Sequence, residues 1–328
     1  MKERILYGNP RYFETTGHEI RPHDLYNIIM DMPFTCNYDC LKCYRKFSEY
    51  KDEVGMAARK KAIKHAVDMG VKVFVLAGEG EPLYHWDIVR ELVDFCASYG
   101  LITIIYTNGS FLTEDKVSYL YDNNASIIIS IDSLKEDVYS KLTRSNSFKR
   151  VMERLEMTRS MFGNAVVKNE SYTITRLAII TIAMNYNQDE LGEIKEMCQD
   201  DIFFICNYPI QKGSADQHWQ AIAGDNLGVL KELSHKFTDT NKGGLSTPLS
   251  NGKCAALYNG ITIDTNGNIL ACPASVDNKI GNIKTDSIEQ VWNTQKVHLE
   301  NIGNPSCLPR NNGERFLKNH DGNIIRSL

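Results

Sequence analysis

From residue 27 onward the chain alternates short, nearly continuous apolar runs with amphipathic stretches. Residues 27–32 read as a first strand, 56–69 as a helix closed by Gly70, and 71–77 as a second strand. The run 71–77 is apolar almost throughout, the pattern of a parallel strand covered on both faces. Residues 86–99 are helical with Gly100 as their stop, 101–106 form a third strand, and 113–122 form a helix with Thr113 at its N-cap. A fourth strand follows at 125–131, a helical pair across 135–160, a fifth strand at 172–183, a helix at 188–199 and a sixth strand at 202–206. Repeated strand–helix units imply right-handed parallel crossovers. They predict an α/β fold, an open, partial (β/α)6 TIM-like barrel whose chemistry lies on the loops after the strands.

The pattern changes after the sixth strand. Residues 240–253 are rich in Gly, Ser, Thr and Asn and predict a mobile loop. Beyond it, 258–264 and 268–272 flank Thr265-Asn266-Gly267, a hairpin signal, and 286–299 look helical. The expected organisation is an N-terminal extension over 1–26, the barrel over 27–239, a linker or lid over 240–253 and a small C-terminal hairpin-and-helix domain over 254–328. The extension and the 240–253 loop are both candidate lids.

Composition narrows the class only modestly. At 328 residues, with 42% hydrophobic and 24% charged positions, the chain suits one large domain plus a small appendage. No apolar run approaches the roughly 20 residues of a membrane span, and no signal peptide is visible, so a cytoplasmic protein without a membrane partner is expected. A net charge of −4 argues against a nucleic-acid substrate. Nine cysteines, six of them in two spaced groups, point to metal ligation in a reducing compartment, not to a disulfide framework.

The first group, Cys36, Cys40 and Cys43, falls directly after the first predicted strand. Three thiolates at that spacing wrap one [4Fe–4S] cube and leave its fourth iron open for an exogenous ligand. The alternatives are a zinc knuckle or buried free thiols. Structural zinc usually takes four protein ligands, and the nearest histidines, His23 and His65, are badly placed.

The triad resembles the signature of the radical S-adenosylmethionine (SAM) enzymes, and later motifs follow that superfamily in order. The resemblance implies that the open iron chelates the amino and carboxylate groups of SAM. An electron from a donor such as flavodoxin or ferredoxin then releases a 5′-deoxyadenosyl radical. The aromatic residue the family places before the last cysteine is here Lys42. The segment 77–82, Ala-Gly-Glu-Gly-Glu-Pro, resembles the family's Gly-Gly-Glu-Pro, with Glu79 in place of the first glycine. There Gly80 would admit close backbone approach and Glu81 would accept the methionine ammonium, unless the segment is a solvated acidic turn. Asn108 after the third strand, and Ser130 and Asp132 after the fourth, resemble the ribose and carboxylate contacts, although such dipeptides also make ordinary turns. Asn185 stands where the family often contacts the cofactor, or caps a helix, and Arg144 is either a SAM-carboxylate partner or a surface arginine.

The second group, Cys254, Cys272 and Cys307, includes the arrangement Cys-x12-Gly-x4-Cys with Gly267. It resembles the opening of the SPASM and twitch domains, which carry auxiliary iron–sulfur clusters. Arg310 stands where a twitch domain usually has its last cysteine, so the resemblance implies one auxiliary cluster of [4Fe–4S] type, and not two. A zinc site or inert thiols are the alternatives. Cys96 and Cys198 read as packed helix residues. Cys206, at the end of the sixth strand, is an auxiliary ligand, a catalytic thiol returning hydrogen to a substrate radical, or a core residue.

Together these expectations describe an oxidoreductase or epimerase that abstracts a C–H hydrogen. The favoured substrate is a small sugar or aminocyclitol-like molecule, as in natural-product biosynthesis. That choice follows the single auxiliary cluster and the short stretch before the first barrel strand, which leaves no room for a peptide-leader domain. The alternatives are a maturase acting on a ribosomally made peptide and a non-catalytic iron–sulfur electron carrier.

Overall fold

The computed structural model describes residues 2–18, 20–21, 24–45, 53–239, 259–270, 279–302, 316–318 and 324–326. In chain order the strands and α-helices are β1 (Glu3–Leu6), α1 (Pro10–Thr15), β2 (Asn27–Met32), α2 (Met56–Asp68), β3 (Val73–Gly78), α3 (Trp86–Ser98), β4 (Ile102–Thr107), α4 (Glu114–Asp122) and β5 (Ser126–Ser130). Then come α5 (Glu136–Thr143), α6 (Phe148–Phe162), β6 (Val167–Lys168), β7 (Tyr172–Thr175), β8 (Leu177–Ile182), α7 (Leu191–Met197) and β9 (Phe203–Asn207). The short α8 (Ser214–Gln217) and α9 (Trp219–Ile222) precede α10 (Leu227–Phe237), β10 (Gly260–Ile263), β11 (Asn268–Leu270), β12 (Lys279–Asn282), α11 (Ile288–Ile302), β13 (Phe316–Lys318) and β14 (Ile324–Arg326).

The main sheet runs β12-β11-β10-β2-β3-β4-β5-β8-β9, and its six strands from β2 to β9 are all parallel. This is the open, partial (β/α)6 barrel that the alternating pattern predicts. Side-chain alternation divides the core into two layers. Phe74, Leu76, Ile105, Ile127 and Ile129 pack outward with Ile63, Leu92 and Val93 of the helices. Val73, Val75, Ile104, Ile128, Ala178 and Ile205 line the concave face. On α3 the buried positions are Val89, Leu92, Val93 and Cys96, the i, i+3, i+4, i+7 stripe of a helix covering a sheet.

Two departures from the sequence reading have clear causes. The run 172–183 is not one strand: β8 continues the barrel, while β7 joins β1 and β6 in a separate three-stranded sheet. The break falls at Arg176, whose guanidinium turns away to donate to the carbonyls of Leu120 and Tyr121 at the end of α4 and of Ala125 just before β5. The N-terminal extension is also no lid over the strands' C-terminal ends. Leu6 and Phe13 pack with Val73 and Ile102, and Ser126 Oγ donates to the Tyr7 carbonyl at 2.9 Å. Those partners begin their strands, so the extension closes the opposite end and forms the floor of the barrel.

The C-terminal hairpin is fused to the barrel sheet. β10 pairs in parallel with β2, Gly260 opposite Asn27 and Ile263 opposite Met30, and β11 returns antiparallel. Asp264 shapes the turn, with Oδ1 accepting the N–H groups of Asn266 at 2.9 Å and Asn268 at 2.8 Å. The expected loop over 240–253 lies outside the described residues. Among the described residues no helix is long and apolar enough to cross a membrane.

Candidate active site

The segment carrying Cys36, Cys40 and Cys43 leaves the C-terminal end of β2 and is held by its neighbours' backbones. Asp39 N–H and Leu41 N–H donate to the carbonyls of Thr143 and Leu142 at the end of α5, at 3.2 and 2.9 Å. Asn37 ties the loop to the end of β4: its amide donates to Ser110 Oγ at 2.8 Å, and its Oδ1 accepts from Asn108 Nδ2 at 2.9 Å. Arg144 contributes a further clamp, with Nη1 on Asp39 at 2.8 Å and Nη2 2.9 Å from His218 Nε2.

Two glycines let other loops reach this segment. A Cβ on Gly80 would lie 2.3 Å from the Thr35 carbonyl and 2.6 Å from that of Pro33, so only glycine allows the Ala77–Pro82 turn to lie against the cysteine loop. Gly213, at φ +58°, would place a Cβ 2.8 Å from the carbonyls of Cys43 and Tyr44. The loop after β9 therefore abuts the third cysteine, where Ala215 N–H donates to the Cys43 carbonyl at 3.2 Å.

The three thiols carry no disulfide. Burial pushes the Cys36 thiol up to about 11 and the Cys40 thiol well above its ordinary range. Each is also raised by negative charge on other members of the triad, which marks them as neighbours. Among the described residues no three His, Cys, Asp or Glu side chains converge tightly enough to hold a single metal ion. Three neighbouring thiols on one loop suit a cubane, which takes each thiolate on a different iron. Structural zinc usually takes four protein ligands, and this loop supplies three thiols.

The other candidates occupy a ring at the strand ends, and several hold one another. Glu81 is buried, and burial pushes its carboxyl up to about 7. Its Oε1 accepts from Thr107 Oγ1 at 2.6 Å and Leu83 N–H at 3.1 Å, and its Oε2 from Asn108 N–H at 2.7 Å. Ser130 accepts a hydrogen bond from Lys42 Nζ at 2.8 Å, and Lys42 also forms an ion pair with Asp132. Asn185 serves its own neighbourhood, donating to the carbonyls of Ala221 and Ala223 at 3.3 and 3.2 Å.

Cys206 packs with Phe204 in the outward layer, while Phe203 and Ile205 belong to the concave one. Burial pushes its thiol up to about 12. Cys254, Cys272 and Cys307 lie outside the described residues.

A second charged group escaped the sequence reading. Arg45, just past the cysteine loop, bridges Asp31 at the end of β2 and Glu79, and all three are buried. Burial, helped by Glu79 and Asp264, pushes the Asp31 carboxyl up to about 7 against the pull of Arg45. The one signal was a lone acid closing the apolar run Ile28-Ile29-Met30.

Comparison with known proteins agrees with this architecture. The family model described as "Radical SAM superfamily" matches residues 31–200, and one described as "Iron-sulfur cluster-binding domain" matches 254–309. A probable GTP 3',8-cyclase of Methanocaldococcus jannaschii is 26% identical over 187 residues, which is 56% of this chain and 57% of that protein. The radical SAM cyclopropyl synthase TigE of Paramaledivibacter caminithermalis is 22% identical over 276 residues, 73% of this chain and 56% of that one. The chain thus spans little more than half the length of these curated relatives. Among solved structures, Streptococcus suis SuiB bound to its precursor peptide SuiA superposes with a TM-score of 0.62 at 16% identity, covering 86% of this chain and 67% of SuiB. anSMEcpe with bound AdoMet and a peptide gives a TM-score of 0.57 at 14% identity, with coverages of 83% and 81%.

Proposed function

The chain belongs to the radical SAM superfamily, and from that premise we propose an enzyme that binds a cubane through Cys36, Cys40 and Cys43 and removes hydrogen from a substrate C–H bond. When bound, the cluster and SAM supply a 5′-deoxyadenosyl radical by one-electron cleavage of the sulfonium. The protein's part is placement and exclusion. The carrying observation is the ordered cysteine loop at the C-terminal end of β2, with Gly80 packed directly against it.

The apolar concave layer of Val75, Ile104, Ile128, Ala178 and Ile205, closed below by Leu6 and Phe13, keeps water from the radical's surroundings. Asn37, Asn108 and Ser110 hold the cysteine loop over that floor. In this reading Cys254, Cys272 and Cys307 would hold one auxiliary cluster, which would supply a one-electron redox centre.

The substrate we favour is a small polyhydroxylated molecule of sugar or aminocyclitol type, oxidised or epimerised at carbon. Supporting it, the concave face ends in a polar group at the tip of β9, with Asn207 beyond Ile205 on alternating positions. The fold shared with peptide-bound SuiB over 86% of the chain favours a second reading, a peptide substrate.

Anaerobic reconstitution with SAM and dithionite tests the common core. Formation of 5′-deoxyadenosine is expected, and its absence from iron-replete protein would sink the proposal. Deuterium transfer into 5′-deoxyadenosine from labelled sugars, and not from labelled peptides, separates the two substrate readings.

A further inference from the structure

Lys42 stands where the superfamily usually places an aromatic residue, between Cys40 and Cys43, and the structure gives it an unusual task. Its side chain leaves the loop after β2 and ends on Ser130 and Asp132 at the end of β5. In the sheet, β3 and β4 lie between those two strands. Lys42 is therefore a strap across the mouth of the barrel, not a contact between neighbours.

The strap is largely shielded, its anchor fully so: the Lys42 side chain is 14% exposed and that of Asp132 only 1%. A buried ion pair holds when further hydrogen bonds satisfy its partners. Here Ser130 Oγ accepts from the ammonium at 2.8 Å, and Asp132 Oδ1 accepts the Ile182 N–H at 3.0 Å. Asn187 Nδ2 donates to the Asp132 carbonyl at 2.6 Å and fixes the backbone behind it. The anchor on β5 is thus rigid, and the residue attached to it is flanked by a cysteine on either side.

We propose that Lys42 is a positioning residue: anchored on Ser130 and Asp132, it fixes Cys40 and Cys43 and sets the reduction potential of the cluster they hold. The inference rests on the cluster assignment made above. Its physical content is charge balance. With Lys42 present the pair is neutral; without it, an uncompensated carboxylate faces a centre that must accept an electron, and reduction becomes harder. Removing the carboxylate instead leaves a cation and makes reduction easier.

The test is an EPR-monitored redox titration of the reconstituted protein carrying Lys42→Met, Asp132→Asn, or both, with iron content measured alongside. Lys42→Met should lower the midpoint potential, Asp132→Asn should raise it, and the double variant should return close to the parent. Iron affinity in Lys42→Met should fall about 10- to 100-fold, as for other residues that orient metal ligands. If Lys42→Met does not retain iron, the double variant decides. Loading restored by Asp132→Asn supports the strap, and loading still absent overturns it. Unchanged potentials, or shifts of the same sign in the two single variants, also overturn it. A wrong cluster assignment would show in the parent protein, which would then hold no cluster whose EPR signal responds to SAM.

Discussion

Oε2 of Glu81 accepts the backbone N–H of Asn108 at 2.7 Å, joining the loop after β3 to the loop after β4. Oε1 of the same carboxylate takes Thr107 Oγ1 and Leu83 N–H, so both oxygens face donors. In Glu81→Gln one oxygen becomes an NH2 group pointing at an N–H or O–H donor. We expect a loss of about 1–3 kcal/mol, the cost of a buried group left without its partner. Thermal denaturation of the cluster-free protein measures it, and an unchanged Tm would remove Glu81 from the role of internal strut.

Burial raises the carboxyls of Asp31 and Glu81 to about 7 in the folded chain, against roughly 4 when unfolded. The folded state therefore binds these protons more tightly, and their contribution to stability is present at low pH and lost as pH rises from about 4 to about 7. Asp31→Asn keeps an acceptor for Arg45 but cannot ionise. Its unfolding free energy should fall less steeply with pH across that window, by at most about 4 kcal/mol in total. Parallel pH profiles for variant and parent would rule the effect out.

The six barrel strands were legible because each parallel strand is apolar on both faces, so local pattern alone marks Val73–Gly78 or Ile102–Thr107. What escaped depends on distant partners. The split at Arg176 comes from carbonyls of α4, over fifty positions upstream for Tyr121 and Leu120. The parallel pairing of Gly260 with Asn27 joins segments with no shared local signal. In the site, the cysteine spacing and the Gly80 turn stand out in sequence. The pairings of Lys42 with Asp132 and of Arg45 with Asp31 and Glu79 do not, because nothing local says which acid meets which base.

Replacing Cys36, Cys40 and Cys43 together by Ala should abolish SAM cleavage and leave the fold intact. The loop is held by backbone bonds from Asp39 and Leu41 and by Asn37, none of which uses a thiol. Circular dichroism should match the parent, while 5′-deoxyadenosine disappears. Its continued production would refute the assignment of the triad.

Anaerobic reconstitution should give about eight irons per chain, on the order of four for each cubane. Removing Cys254, Cys272 and Cys307 should bring this to about half and leave uncoupled SAM cleavage detectable. Iron content equal to the parent's would exclude an auxiliary cluster on those residues.

Cys206 decides between packing and chemistry. Its neighbours in the outward layer are apolar, and burial holds its thiol at about 12, so almost no thiolate forms near neutrality. A thiol returning hydrogen to a substrate must face the concave side, where Phe203 and Ile205 point. Cys206→Ala should therefore retain the parent's iron content and product, with a stability loss of about 1 kcal/mol from the small cavity. The native thiol should also resist iodoacetamide at pH 8 until the protein unfolds. Loss of epimerised product with both clusters intact would instead identify a hydrogen donor, and lost iron would identify a ligand; either result would overturn the packing role.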